Sequence, residues 1–159
     1  MQKILFLFSL IATLSGCAMG QRTTFYQLGI EGKVGQKPID RLLWENSLSA
    51  DKNAQDSIIL DGDYANYHLL QLRFSEDPHL HEKHDLMVLV QSGRGVMHLK
   101  DQSFAVSPGS IIFIPRKIVH YFVNSGVEPA VAIAVFSPPY YGDDSIPIPA
   151  KRPVPEEQP

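Results

Sequence analysis

Residues 109–124 read GSIIFIPRKIVHYFVN. Pro108-Gly109 ahead of the run supplies a tight turn, because glycine reaches backbone angles closed to other residues and proline pre-sets its own. Residues 110–114 are then a short apolar run of β-branched and aromatic side chains suited to a buried strand. Pro115 ends that run, since it lacks the N–H a sheet ladder needs. Residues 119–123 return as a second strand that aims His120 inward, and Asn124 closes the following turn through its side chain.

The same texture extends on both sides. Further alternating runs occupy 57–60, 64–74, 86–91, 95–100, 103–106 and 130–136. Asp61-Gly62-Asp63, Ser92-Gly93-Arg94, Lys100-Asp101-Gln102 and Asn124-Ser125-Gly126 separate them with turn chemistry. About eight short strands result, which predicts an all-β domain closed as a small barrel or double-sheet jelly roll. Residues 17–55 are polar and broken by Gly29, Gly32, Gly35 and Pro38, and only 39–44 is dense enough for a short strand or one helical turn. They are expected to form a tether and lead-in. The barrel is expected over 56–138, followed by a Pro-rich, extended and peripheral tail at 139–159, with Pro138 and Tyr140 at the junction folding back on the barrel.

Composition narrows the function classes. The 159 residues are 44% apolar and 19% charged with a net charge of −3, so no basic footprint for nucleic acid exists. Cys17 is the single cysteine, which excludes an internal disulfide and a cysteine-based zinc cluster. Residues 1–17 read MQKILFLFSLIATLSGC, with Lys3, an apolar run at 4–14, then small residues: the three regions of a secretory signal. The run is shorter than the ~20 residues a membrane-spanning helix needs. Its ending, Leu14-Ser15-Gly16-Cys17, resembles the lipobox of bacterial lipoproteins. That resemblance implies a signal peptide at 1–16 and lipidation of Cys17, which anchors the chain to a membrane of the cell envelope. Ala18 rather than aspartate follows the cysteine, so the outer membrane is the expected destination.

Three of the six histidines crowd into residues 78–85, PHLHEKHD. On an extended segment positions i and i+2 share a face, so His79 and His81 aim two imidazoles at one point. Neutral imidazole is the commonest metal ligand, and His120 is the residue a distant strand would bring to complete the group. His68 alternates with Leu70 and Leu72 and suits a core or pocket wall, while His98 has no evident role. Phe104, Phe113, Tyr121, Phe122 and Phe136 are expected in the core or over its mouth. Arg94 and Arg116 are expected to be solvated turn residues.

Residues 109–124 resemble the second cupin motif at Gly109, Pro115, His120 and Asn124, with Lys117 where the family carries glycine. His79, His81 and Gly93 match the first motif, although Arg73 replaces its leading glycine. The resemblance covers roughly 64–137 and implies a cupin-type jelly-roll barrel with a divalent metal (iron, zinc, manganese, copper or nickel) held by the motif histidines. The family's glutamate falls on Leu86, which cannot ligate. Strand parity places His84 on the inward face with Leu86, whereas a bulge would bring in Asp85 instead. The expected ligand set is therefore His79, His81 and His120, with His84, Asp85 or neither in the place of the missing glutamate. Such a site suits a metal-dependent oxidoreductase or isomerase acting on a small molecule, or a non-catalytic envelope module binding a metal, ligand or protein. Homodimerisation is a further implication of the family.

Overall fold

A computed structural model describes residues 23–28 and 32–149, so the signal segment, Cys17 and the end of the Pro-rich tail lie outside the described residues. The strands are β1 (Thr24–Leu28), β2 (Val34–Pro38), β3 (Ala54–Asp61), β4 (Asn66–Leu72), β5 (His79–His81) and β6 (Asp85–Ser92). They continue with β7 (Gly95–Leu99), β8 (Gln102–Val106), β9 (Ile111–Ile114), β10 (His120–Asn124), β11 (Ala130–Ser137) and β12 (Ser145–Pro147). One helix, α1 (Ile39–Glu45), lies between β2 and β3. Two five-stranded antiparallel sheets result, ordered β3-β4-β11-β6-β9 and β12-β5-β10-β7-β8, and β1 pairs with β2. From β4 onward the chain passes repeatedly from one sheet to the other, which is the jelly-roll path expected of eight alternating runs.

Alternation decides what faces inward. On β6, Leu86, Val88 and Val90 are buried while Met87 is exposed; on β9, Ile112 and Ile114 are buried while Ile111 and Phe113 face out. Phe113 and Phe104 are therefore surface residues rather than core, because each occupies the outward phase of its strand. The central strand β11 reads AVAIAVFS, and its inward phase is Ala130, Ala132 and Ala134, then Phe136. Small residues in a row there leave space between the sheets. Behind that sheet, Leu42 of α1 packs with Leu69, Val131 and Ile133 in a second apolar cluster, so β4 and β11 are covered on both faces.

The lead-in and tail contribute more structure than their composition suggested. α1 has two turns rather than one, and the β1–β2 hairpin precedes it. The expected tail begins with buried Tyr140 and Asp144, and β12 pairs with β5 in register Ser145↔His81 to Pro147↔His79. Asn66, fully buried, ties this segment down by exchanging hydrogen bonds with Tyr140: its Nδ2 donates to Tyr140 O at 2.7 Å and its Oδ1 accepts from Tyr140 N at 3.0 Å.

Candidate metal centre

β5 is only three residues long, and both of its histidines point to the same side, as the two-residue strand period requires. The β10–β5 register sets His120 opposite His79. Ring centroids of His79 lie 5.3 Å from His81 and 4.4 Å from His120, and those of His81 and His120 are 5.4 Å apart. One nitrogen from each ring falls within 4.8 Å of the others. Lys117, at φ 68°, shapes the turn before His120 in the left-handed conformation for which the motif uses glycine, and its N–H donates to His81 O at 2.6 Å.

The three rings are oriented by what their Nδ1 atoms touch. His79 Nδ1 donates to Asp77 O at 2.8 Å and His120 Nδ1 to Ile118 O at 2.9 Å, in each case the carbonyl two residues upstream. His81 Nδ1 donates to the Asp144 carboxylate at 3.2 Å. Carbonyl and carboxylate oxygens accept only, so each ring carries its proton on Nδ1 and turns a lone-pair Nε2 away from that partner. At two of the rings burial disfavours the charged form, pushing His120 down to about 4 and His81 in the same direction, against the pull of its Asp144 partner. Three neutral nitrogen donors of this kind suit zinc, iron, copper or nickel, and they leave further coordination positions open.

Asp144 gathers the surrounding polar groups. Beyond His81 it accepts from Lys83 N at 2.8 Å and His84 Nδ1 at 2.7 Å. Its own burial disfavours the charge, but these donors outweigh that and hold the carboxyl below its ordinary value. His84 is inward-facing and buried, as parity predicts, yet its ring centroid is 6.4 Å from that of His81 and it is outside the three-histidine group. Its Nε2 is occupied by Pro139 O at 3.0 Å, so both ring nitrogens of His84 face acceptors. Asp85 is farther from ligation: Arg116 grips both carboxylate oxygens at 3.1 and 2.7 Å, and its backbone N–H adds a third contact at 2.9 Å. That guanidinium holds the Asp85 carboxyl down at about 2. Arg116 is thus an ion-pair partner rather than a free turn residue.

Two site residues had no foothold in motif spacing. Asp144 lies 63 positions after His81, within a segment whose prolines signalled periphery. Glu76 precedes His79 by three residues, on the side opposite to where the motif carries its glutamate. It lines the same cavity as the histidines, and its Oε2 accepts from Phe122 N at 2.9 Å. Burial pushes the Glu76 carboxyl up, with His79 pulling the other way.

The cavity has a volume of about 200 Å³ and runs from the histidines along Leu86, Val88 and Val90, with Ala130 and Ala132 of the neighbouring strand lining the same side. His68 stands apart, with Nδ1 at 2.6 Å from Asp56 and its ring edge-on to Phe136, 4.8 Å between centroids.

Residues 68–136 match the family described as cupin domain, and residues 1–18 match a prokaryotic membrane lipoprotein lipid attachment site. Fold and histidine placement agree with that match, and the chain carries a cupin domain. More particularly, the cupin domain lies behind a lipid-attachment segment, which supports a lipid-anchored place in the cell envelope. A protein of Aquifex aeolicus (strain VF5), described as uncharacterized, is 38% identical over 78 residues, 49% of this chain and 64% of that protein. The chain spans less than two thirds of the length of the curated relatives it matches. Among solved structures, TT1209 from Thermus thermophilus aligns with TM-score 0.55 at 20% identity, covering 62% of this chain and 95% of that one. The Cnp3 cupin domain of Schizosaccharomyces pombe gives TM-score 0.55 at 8% identity, covering 74% and 87%. At these identities the likeness is one of fold.

Proposed function

We propose that this protein is a lipid-anchored envelope cupin that binds a divalent metal through Nε2 of His79, His81 and His120 and acts on a small molecule in the adjoining cavity. The observation that carries the reading is the set of three Nδ1 contacts, which leaves three unprotonated nitrogens grouped within 4.8 Å at the end of an open apolar space. A divalent ion there would supply Lewis-acid polarisation of a bound oxygen, or activation of a water. The chain's own residues do the rest: Asp144 orients His81, the carbonyls of Asp77 and Ile118 orient the other two rings, and the aliphatic wall excludes bulk water. A filled barrel would have favoured a non-catalytic module, whereas a cavity beside the donors favours small-molecule chemistry. His84 and Asp85 are assigned supporting roles, the first behind Asp144 and the second in the Arg116 pair. The anchor is proposed to be Cys17, with Ala18 directing the chain to the outer membrane.

The test is elemental analysis of the lipoprotein extracted in detergent from outer and inner membranes separated by density. One metal per chain is expected, lost in His81→Ala and His120→Ala and retained in Asp85→Ala, with the protein in the outer-membrane fraction. A metal-free wild type after reconstitution with iron, zinc, manganese, copper and nickel would overturn the metal reading. Recovery in the inner membrane would overturn the placement.

A further inference from the structure

The cavity beside the histidines carries polar chemistry on a small part of its wall. Among the described residues no lysine or arginine lines it. Each of its carboxylates is engaged through one oxygen, Asp56 Oδ1 by His68 Nδ1 at 2.6 Å and Glu76 Oε2 by Phe122 N at 2.9 Å. The two amides that border it are also committed: Gln71 Nε2 donates to Asn46 O at 2.6 Å, and Gln55 Nε2 donates to Asp56 O and Ser57 Oγ, both at 3.2 Å. Apart from the three histidines and the Tyr140 phenol, the remaining side chains of the wall are carbon. Val88 and Val90 stand beside Ala132 on one sheet, Met97 lines the cavity from the other, and Phe122 and Phe136 add aromatic surface. Leu86 to Val90 alone extends over about 13 Å at the strand rise of ~3.3 Å per residue. A hydroxyl-rich or phosphorylated molecule would surrender its hydration along that wall with no donor in return.

Resting on the metal reading above, we infer that the site takes a compact, largely apolar molecule that presents a single oxygen-donor head to His79, His81 and His120. Its carbon body lies against β6 and the alanine row of β11, and polyols and phosphorylated sugars are discriminated against. The volume of about 200 Å³ falls below the ~300 Å³ lower end of pockets for drug-sized ligands, which sets the scale of the body.

Two arms test this on the full lipidated chain in detergent. In the zinc-loaded protein, three hydroxamates share one metal-binding head and differ in body: benzohydroxamate, acetohydroxamate and gluconohydroxamate. Benzohydroxamate is expected to bind at least about tenfold more tightly than acetohydroxamate, and the polyol no more tightly than acetohydroxamate. In the metal-free protein, toluene is expected to shift the Met97 methyl resonance saturably and to lose that effect in Ala132→Leu, which fills the space. Binding of the polyol as tight as that of benzohydroxamate, or tighter than that of acetohydroxamate, overturns the inference, as does a Met97 signal that toluene leaves unmoved. If zinc fails to bind, the metal reading falls and the toluene arm alone decides the ligand class.

Discussion

Replacing Asp144 by asparagine exchanges one carboxylate oxygen for an amide that donates. The carboxylate serves three donors: Lys83 N and His84 Nδ1 on Oδ2, and His81 Nδ1 on Oδ1. In Asp144→Asn the remaining oxygen stays with the two donors on the Oδ2 side, and the new NH₂ faces His81 Nδ1. Donor then meets donor, so His81 relieves the conflict by moving its proton from Nδ1 to Nε2, the nitrogen assigned to the metal. Loss of such an orienting partner costs about 10 to 100-fold in metal affinity. That corresponds to roughly 1.4 to 2.8 kcal/mol. Affinity is measured by competing the protein against a chelator for zinc, and the tautomer by ¹⁵N chemical shifts of His81 in the metal-free chain. A folded Asp144→Asn protein that keeps the Nδ1–H tautomer and wild-type affinity would refute the orienting role. A variant that merely lost stability would show a lower melting temperature with an unchanged tautomer.

Acid is expected to destabilise the metal-free fold. His120 takes up a proton at about 4 in the native state and near 6.5 when unfolded, so between those values only the unfolded chain gains the proton. Stability therefore falls as pH drops from 6.5 toward 4, by about 3 kcal/mol for this group, and urea midpoints should show the slope in wild type and a flatter one in His120→Gln. Below that window Asp144, whose carboxyl is held low, loses hydrogen bonds it accepts as a carboxylate when it protonates and adds to the decline. At Lys117, φ 68° costs a side-chain-bearing residue about 1 to 2 kcal/mol. Glycine removes that cost but returns about 0.5 to 1 kcal/mol in unfolded-chain entropy, so Lys117→Gly should add a net of up to about 1.5 kcal/mol of stability, read as a higher urea midpoint.

Period and punctuation made the barrel legible, because a half-buried strand has to alternate and a tight turn has to use glycine, proline or asparagine. His79, His81 and His120 were legible for a related reason: two share a strand face, and the third follows a proline-marked turn at fixed spacing. Parity also placed His84 on the inward side, where it is buried. Parity reports a side and not a distance, however, and the intervening carboxylate of Asp144 takes the ring that spacing had offered to a metal. Asp144 itself had no sequence signal, since nothing local in Gly142-Asp143-Asp144-Ser145 reveals a partner more than sixty positions earlier. Glu76 was hidden differently, standing on the unexpected side of the histidine pair. The β1–β2 hairpin escaped notice because β2 is exposed along its whole length and leaves no alternating imprint.

The long loop closed between His81 and Asp144 also governs the order in which the molecule is finished. The last piece of the centre to leave the ribosome is the segment that steadies its middle histidine, and β12 reaches its place beside β5 only after every strand between them has been made. Contacts this distant in sequence are slow to close, because chain entropy must be surrendered before they repay it. The lipid-attachment segment lies at the opposite terminus. An anchored chain can thus be held at the membrane by its first residues while its centre waits on its last, and a product cut short before residue 144 would carry all three histidines with His81 unsteadied.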